Sequence, residues 1–206
     1  MATQQQTAVD RFIGDTRALF GREPDLEKRW TALKPILAEL LADPELQEAS
    51  RNWPNPGQVE GRGGNLLFYE DPDYGFVING QVHEPGHRQT EPTSAHDHGS
   101  NITAYGLLDG HERIVMYERT DDRSKTDYAE VKQTADYVAG PGDIHLAMPR
   151  DIHVELSAGE RTAAVIVRSM RDGVPTNLHG HYDLLTNAYT ERIGPRQVPA
   201  EMLSKN

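Results

Sequence analysis

The tripeptide His96-Asp97-His98 is a feature of this sequence that could do chemistry. On an extended strand, residues i and i+2 point to the same face, so both imidazoles can reach one point. With a third donor from a distant strand they would make an open metal site, in which coordination positions are left for substrate. A lone H-x-H is weak evidence because surface pairs are common, so its surroundings decide. His145 and His153 both follow on later strands, and either could be that third donor.

All nine histidines fall between His83 and His181, and there is no cysteine. Disulfides, thiolate ligands and a Cys nucleophile are therefore excluded. Lys and Arg number 21 against 32 Asp and Glu, a net charge of −11, which argues against a nucleic-acid partner. No apolar run approaches the roughly 18 residues of a membrane span, and MATQQQTAVDRF lacks the apolar stretch of a signal peptide. The expectation is a soluble, cytoplasmic protein with no membrane partner. His83 and His87 flank Glu84-Pro85-Gly86 and read as a solvated loop, and His111 reads as exposed. His179 and His181 form a second H-x-H in an irregular tail, where a solvated turn is the simplest reading. A tail folded over a barrel mouth would instead bring His181 or Tyr182 beside substrate.

Elements able to position these groups follow from the periodicity. Apolar residues recur at helical spacing from Val9 to Phe20 and from Leu26 to Leu41, with Pro35 expected to divide the second run, and Asp43-Pro44 opens a short third helix. From Asn65 the texture changes to short strands at 65–70, 74–83, 101–108, 111–119, 128–131, 135–139, 144–148, 152–156 and 162–168. Asp109-Gly110 is a strong hairpin signal. Many short strands separated by turns imply an antiparallel sandwich or barrel of the jelly-roll kind. The chain is expected to divide into an N-terminal helical segment (1–60), a β-barrel (61–170) and a C-terminal tail packing on the barrel (171–206).

Two segments carry a resemblance. His96-Asp97-His98-(x4)-Thr103-(x6)-Gly110 resembles the first cupin motif, and Gly142-Asp143-(x5)-Pro149-(x3)-His153 resembles the second. The resemblance covers roughly residues 65–170 and implies a mainly β fold, the cupin jelly-roll barrel, with His96, His98 and His153 as metal ligands. Thr103 stands where the first motif has Glu, so the implied site has three His and no carboxylate. Within cupins that pattern is similar to the thiol dioxygenases, relatives of cysteine dioxygenase, which bind Fe(II) through three His. The Cys that cross-links to Tyr in mammalian-type members is Thr103 here, and their Ser-x-His-x-Tyr set has no counterpart on Thr162–Arg168.

The resemblance implies a non-heme Fe(II)-dependent dioxygenase that adds O2 to a small anionic substrate, conceivably a mercapto-acid giving a sulfinate. The alternatives are Mn, Ni or Zn at the same ligands in an O2-independent isomerase or lyase, and a cupin that binds a ligand without catalysis. Arg168, inside an apolar strand, would need an anionic partner if it points inward; Arg62 is a second candidate for that carboxylate-gripping role. Tyr105 shares the face of Thr103 and would orient substrate together with Arg168. Thr103, His145, His181 and Tyr182 are candidates to sit just outside the ligands. Glu155, two residues beyond His153, would hydrogen-bond a ligand or face water. By analogy with cupins a homodimer is also expected.

Overall fold

Three N-terminal helices open the computed structural model, which describes residues 7–59, 62–86, 92–157, 159–170 and 178–203. α1 (Ala8–Arg22) begins at a capping box between Thr7 and Asp10, while α2 (Leu26–Leu41) and α3 (Pro44–Ser50) begin at Asp25 and Asp43. These side chains satisfy amides that the first turn leaves without partners. Contrary to the reading of Pro35 as a divider, α2 runs straight through it. Leu33, Leu37, Leu40 and Leu41 are nearly fully buried on one face. At roughly 1.5–3 kcal/mol each, their burial outweighs the roughly 3 kcal/mol cost of an interior proline. Thr31, whose carbonyl loses its donor, lies on the exposed side.

Strands follow: β1 (Gln58–Val59), β2 (Arg62–Glu70), β3 (Phe76–His83), β4 (Ser94–His96), β5 (Thr103–Asp109), β6 (Glu112–Arg119) and β7 (Val131–Ala139). They continue with β8 (Ile144–Ala147), β9 (Ile152–Ser157), β10 (Thr162–Ser169), β11 (Leu178–Asp183), β12 (Tyr189–Ile193) and β13 (Arg196–Pro199). One sheet has the order β1-β2-β3-β10-β5-β8, with β13 parallel to β2; the other has the order β12-β11-β4-β9-β6-β7. From β3 to β6 and again from β7 to β11, each successive strand crosses to the opposite sheet. This is a jelly roll.

Two expectations change here. Asp109-Gly110 does turn the chain, with Gly110 at φ +74°, but β5 and β6 are not a paired hairpin. β5 is flanked by β10 and β8, and β6 by β9 and β7, so the turn carries the chain between sheets. The tail is not irregular either, because β11, β12 and β13 extend both sheets. Trp53 Nε1 also donates to the Met202 carbonyl at 2.9 Å, tying the end of the helical segment to the C-terminal stretch.

Between the sheets lies a core of Tyr105, Leu107, Ile114, Ala139, Ala164 and Ile166. The helices cover the outer face of the first sheet through residues such as Trp30, Leu37 and Leu41. A smaller cluster around Val115, Val154 and Tyr182 covers the outer face of the second. Among the described residues no helix is long and apolar enough to cross a membrane.

Candidate metal centre

β4 lies between β9 and β11, and the register sets His96 opposite His153 on one side and His181 on the other. His98 follows two residues after His96 and returns to the same point: the two Nε2 atoms are 3.2 Å apart. One ring nitrogen each from His96, His98 and His153 lies within 4.8 Å of the others. The structure therefore groups His153, rather than His145, with the H-x-H pair.

Asp97 holds this turn from behind. It is fully buried, with Oδ1 accepting from the Gly99 and Gly180 amides at 2.6 and 3.1 Å and Oδ2 from the Tyr182 hydroxyl at 2.6 Å. Tyr182 thus points to the outer face of the sheet and acts on the turn, not on the cavity. Burial and the Asp97 carboxylate push its phenol up. Two glycines make the arrangement possible. A Cβ on Gly180 would lie 2.5 Å from Asp97 Oδ2, and one on Gly99, at φ +63°, would lie 2.2 Å from the Leu178 carbonyl oxygen.

The three histidines fit a transition metal. His153 Nδ1 donates to the Asp151 carbonyl at 3.1 Å, which fixes the tautomer and leaves Nε2 with its lone pair. Burial, then the neighbouring His153, His96 and Arg168, hold the His98 pKa well below the usual imidazole range, so His98 is in the neutral, ligating form at pH 7. Two nitrogens 3.2 Å apart can both reach one cation at roughly 2.1 Å. A neutral imidazole set suits Fe, Ni, Cu or Zn better than Mg, Ca or Mn.

Around this centre lies a cavity of about 590 Å³. Among the described residues Arg62, Arg168 and Arg192 line it against one carboxylate, Glu155, so the charge of this lining opposes that of the whole chain. Arg62 Nη1 donates to the Gly194 carbonyl at 3.1 Å. Arg168 points inward, is 3% exposed, and its Nε has no hydrogen-bond partner among the described residues. Burial lowers its pKa to about 10, which still leaves it charged. The buried Thr103 hydroxyl and the His98 Nδ1 and His179 Nε2 nitrogens likewise have no hydrogen-bond partner among the described residues. Such groups are rare in a finished interior, so their concentration in one place indicates a site.

The remaining candidates separate by partner. Tyr105 faces the cavity, but its hydroxyl donates to Glu112 Oε2 at 2.8 Å. His145, opposite Tyr105 in the register, has Nδ1 2.9 Å from the Tyr137 hydroxyl and its ring 5.2 Å from that of His153. Burial lowers its pKa to about 4. His181 lines the cavity beside His96. Glu155 turns inward, with Oε1 3.2 Å from His153 Nε2.

Several placements differ from expectation. His179 is not on a solvated turn: it is 4% exposed on β11, with its ring 5.1 Å from that of His98, and burial takes its pKa to about 3. His83 is buried as well. Its Nδ1 is 2.9 Å from Glu112 Oε1 and its Nε2 is 2.7 Å from Gln81 Nε2. The amide nitrogen can only donate, so His83 Nδ1 carries the proton toward Glu112. Thr162 donates to the same carboxylate at 2.5 Å. Alternation was the available signal: Gln81 and His83 share a face of β3, as His179 and His181 do on β11. His111 is exposed and bonded to Glu160, whereas His87 lies outside the described residues.

No family model and no curated protein matches the sequence. Solved structures do match at low likeness. Hydroquinone 1,2-dioxygenase from Sphingomonas sp. TTNP3, with 4-hydroxybenzoate bound, is 10% identical with a TM-score of 0.41, covering 75% of this chain and 76% of that one. A conserved protein with a double-stranded beta-helix domain from Klebsiella pneumoniae is 17% identical with a TM-score of 0.36, covering 63% and 90%. Peruvianin-I, a cysteine peptidase from Thevetia peruviana latex, is 18% identical with a TM-score of 0.32. The match covers 47% of this chain and about half, 51%, of Peruvianin-I.

Proposed function

We propose that this chain is a non-heme Fe(II)-dependent dioxygenase that adds O2 to a small anionic substrate, a mercapto-acid oxidised to its sulfinate being the leading case. The observation that carries the reading is Arg168, a buried guanidinium in the same cavity as the three-His group. A buried cation needs an anion, and a substrate carboxylate would form charge-assisted hydrogen bonds with it. His96, His98 and His153 would hold the iron. Iron held there would supply the means of activating O2.

The chain's own residues bind and orient. Arg168 fixes the carboxylate end of the substrate, and the Thr103 hydroxyl and His179 offer further polar contacts. Ile166 and Tyr105 supply apolar walls that exclude water. Holding the reacting groups in place removes entropy cost before the chemical step. Mn, Ni or Zn in an O2-independent isomerase or lyase would use the same ligands, so oxygen consumption separates the readings. Metal-free protein reconstituted with Fe(II) is expected to show substrate-dependent O2 uptake with at least one of a panel of small anionic thiols. Reconstituted protein that holds iron yet consumes no O2 across that panel would overturn the dioxygenase assignment.

A further inference from the structure

Three arginines line the cavity from three strands: Arg168 from β10, Arg62 from β2 and Arg192 from β12. Arg168 is deep, 3% exposed and opposite Thr103 across the β10–β5 pair. The other two stand at the rim, Arg192 exposed and Arg62 half-buried. Register sets Arg192 opposite His179 across the β11–β12 pair, and directly opposed residues share a face. Arg192 therefore flanks a buried ring that is itself 5.1 Å from that of His98. Its neighbour Glu191 alternates to the outer face, where Oε1 accepts from Arg150 at 3.1 Å. Arg62 arrives from the other sheet, and its Nη1 donates at 3.1 Å to the carbonyl of Gly194, just beyond Arg192 in the chain. One guanidinium from each sheet thus borders the same stretch of rim.

Neither rim arginine meets a carboxylate among the described residues. In a chain with 32 acidic residues against 21 Lys and Arg, that is a departure: Arg17, Arg51, Arg113, Arg119 and Arg150 each bond an Asp or Glu. The cavity is also large. At about 590 Å³ it falls within the roughly 300–1,000 Å³ that takes drug-sized ligands, and a short mercapto-acid would leave most of it to water. Resting on the reading of Arg168 as the anchor of a substrate carboxylate, we propose that the substrate is a dicarboxylate, whose second carboxylate seats on Arg62 and Arg192 at the rim. Each guanidinium fork can take a carboxylate in charge-assisted hydrogen bonds. Like charges at the rim repel one another, and a dianion that bridges rim and floor offsets the positive charge at both ends. The rim is solvated, so this contact weakens with salt, while the buried one at Arg168 is screened much less.

Titration calorimetry on Zn(II)-loaded protein provides the test, with succinate, glutarate and adipate compared against butyrate, valerate and hexanoate, their monocarboxylate counterparts of equal chain length. At least one dicarboxylate is expected to bind about 10-fold or more tightly than its counterpart. The double variant Arg62→Gln, Arg192→Gln should reduce that gain to less than about 3-fold and leave the monocarboxylate Kd unchanged, while Arg62→Lys with Arg192→Lys, which keeps both charges, retains part of it. A gain that survives intact in the double Gln variant would seat the second carboxylate elsewhere and overturn the proposal. So would failure of every dicarboxylate to bind. Monocarboxylates that bind the wild type but not Arg168→Met, with no gain from a second carboxylate, would overturn the dicarboxylate and leave the Arg168 reading intact. Monocarboxylate binding unchanged in Arg168→Met would sink that underlying reading instead.

Discussion

His96 and His153 stand directly opposite one another across the β4–β9 pair, with ring centroids 4.6 Å apart. Register therefore converges two strands on one metal position, and either ring alone leaves the set incomplete. His96→Ala and His153→Ala are each expected to lower metal affinity by more than about 100-fold, beyond the range typical of residues that only orient ligands. His145→Ala is expected to keep stoichiometric metal, since its Nδ1 is engaged by Tyr137. Metal analysis after dialysis measures all three, and loss of metal in the His145 variant alone would reassign the third ligand.

Arg168 gives a prediction in which stability and activity part company. A buried charge whose Nε has no partner among the described residues weakens the fold, and a hydrophobic replacement of similar length is often neutral or stabilising. Arg168→Met should melt at or above the wild-type temperature and bind metal normally. Its kcat/KM for an anionic substrate should fall about 100-fold or more, because a charge-assisted contact worth roughly 2–3 kcal/mol is gone. Calorimetry and steady-state kinetics on one preparation check both halves.

The turn behind the histidines is sensitive to single carbons. Gly180→Ala drives a methyl to within 2.5 Å of Asp97 Oδ2, and Gly99→Ala meets the Leu178 carbonyl oxygen from a left-handed backbone. Each is expected to cost on the order of 2–4 kcal/mol and to weaken metal binding by displacing His96 and His98. Gly57, also at positive φ, has open space around its Cβ, so Gly57→Ala should lower stability only by the backbone strain and leave metal affinity unchanged. Urea denaturation together with metal titration distinguishes the two classes.

Strand content and the N-terminal helices were legible because their apolar periodicities are strong and local. So was the H-x-H pair, although β4 ends at His96 and the turn that Asp97 holds brings His98 back to the same point. The Asp109-Gly110 hairpin failed because a turn signal specifies a reversal and not which sheet receives the next strand; competition from β10 and β9 settles that. His83 and His179 were misread because each depends on a distant partner, Glu112 for one and the β4 edge for the other, and loop-like composition hid both. The inward face of Arg168 could not be read from alternation until the register with β5 and β3 was known.

Two buried imidazoles, His98 and His179, and the half-buried His145 also give the metal-free protein a pH dependence of definite sign. The pKa of His98 lies well below the usual range, that of His145 at about 4 and that of His179 at about 3, each chiefly through burial. In the unfolded chain all three titrate near 6.5. Below that pH the unfolded state binds protons that the folded state refuses, so stability is full above about pH 6.5 and is lost as pH falls. The loss runs down to about pH 4 for His145 and about pH 3 for His179, at roughly 1.4 kcal/mol per pH unit for each group. Urea midpoints of chelator-treated protein should therefore drop steadily between pH 7 and pH 5. His179→Gln, which stays neutral throughout, should flatten that slope, and an equally steep decline in the variant would show that His179 does not contribute to it.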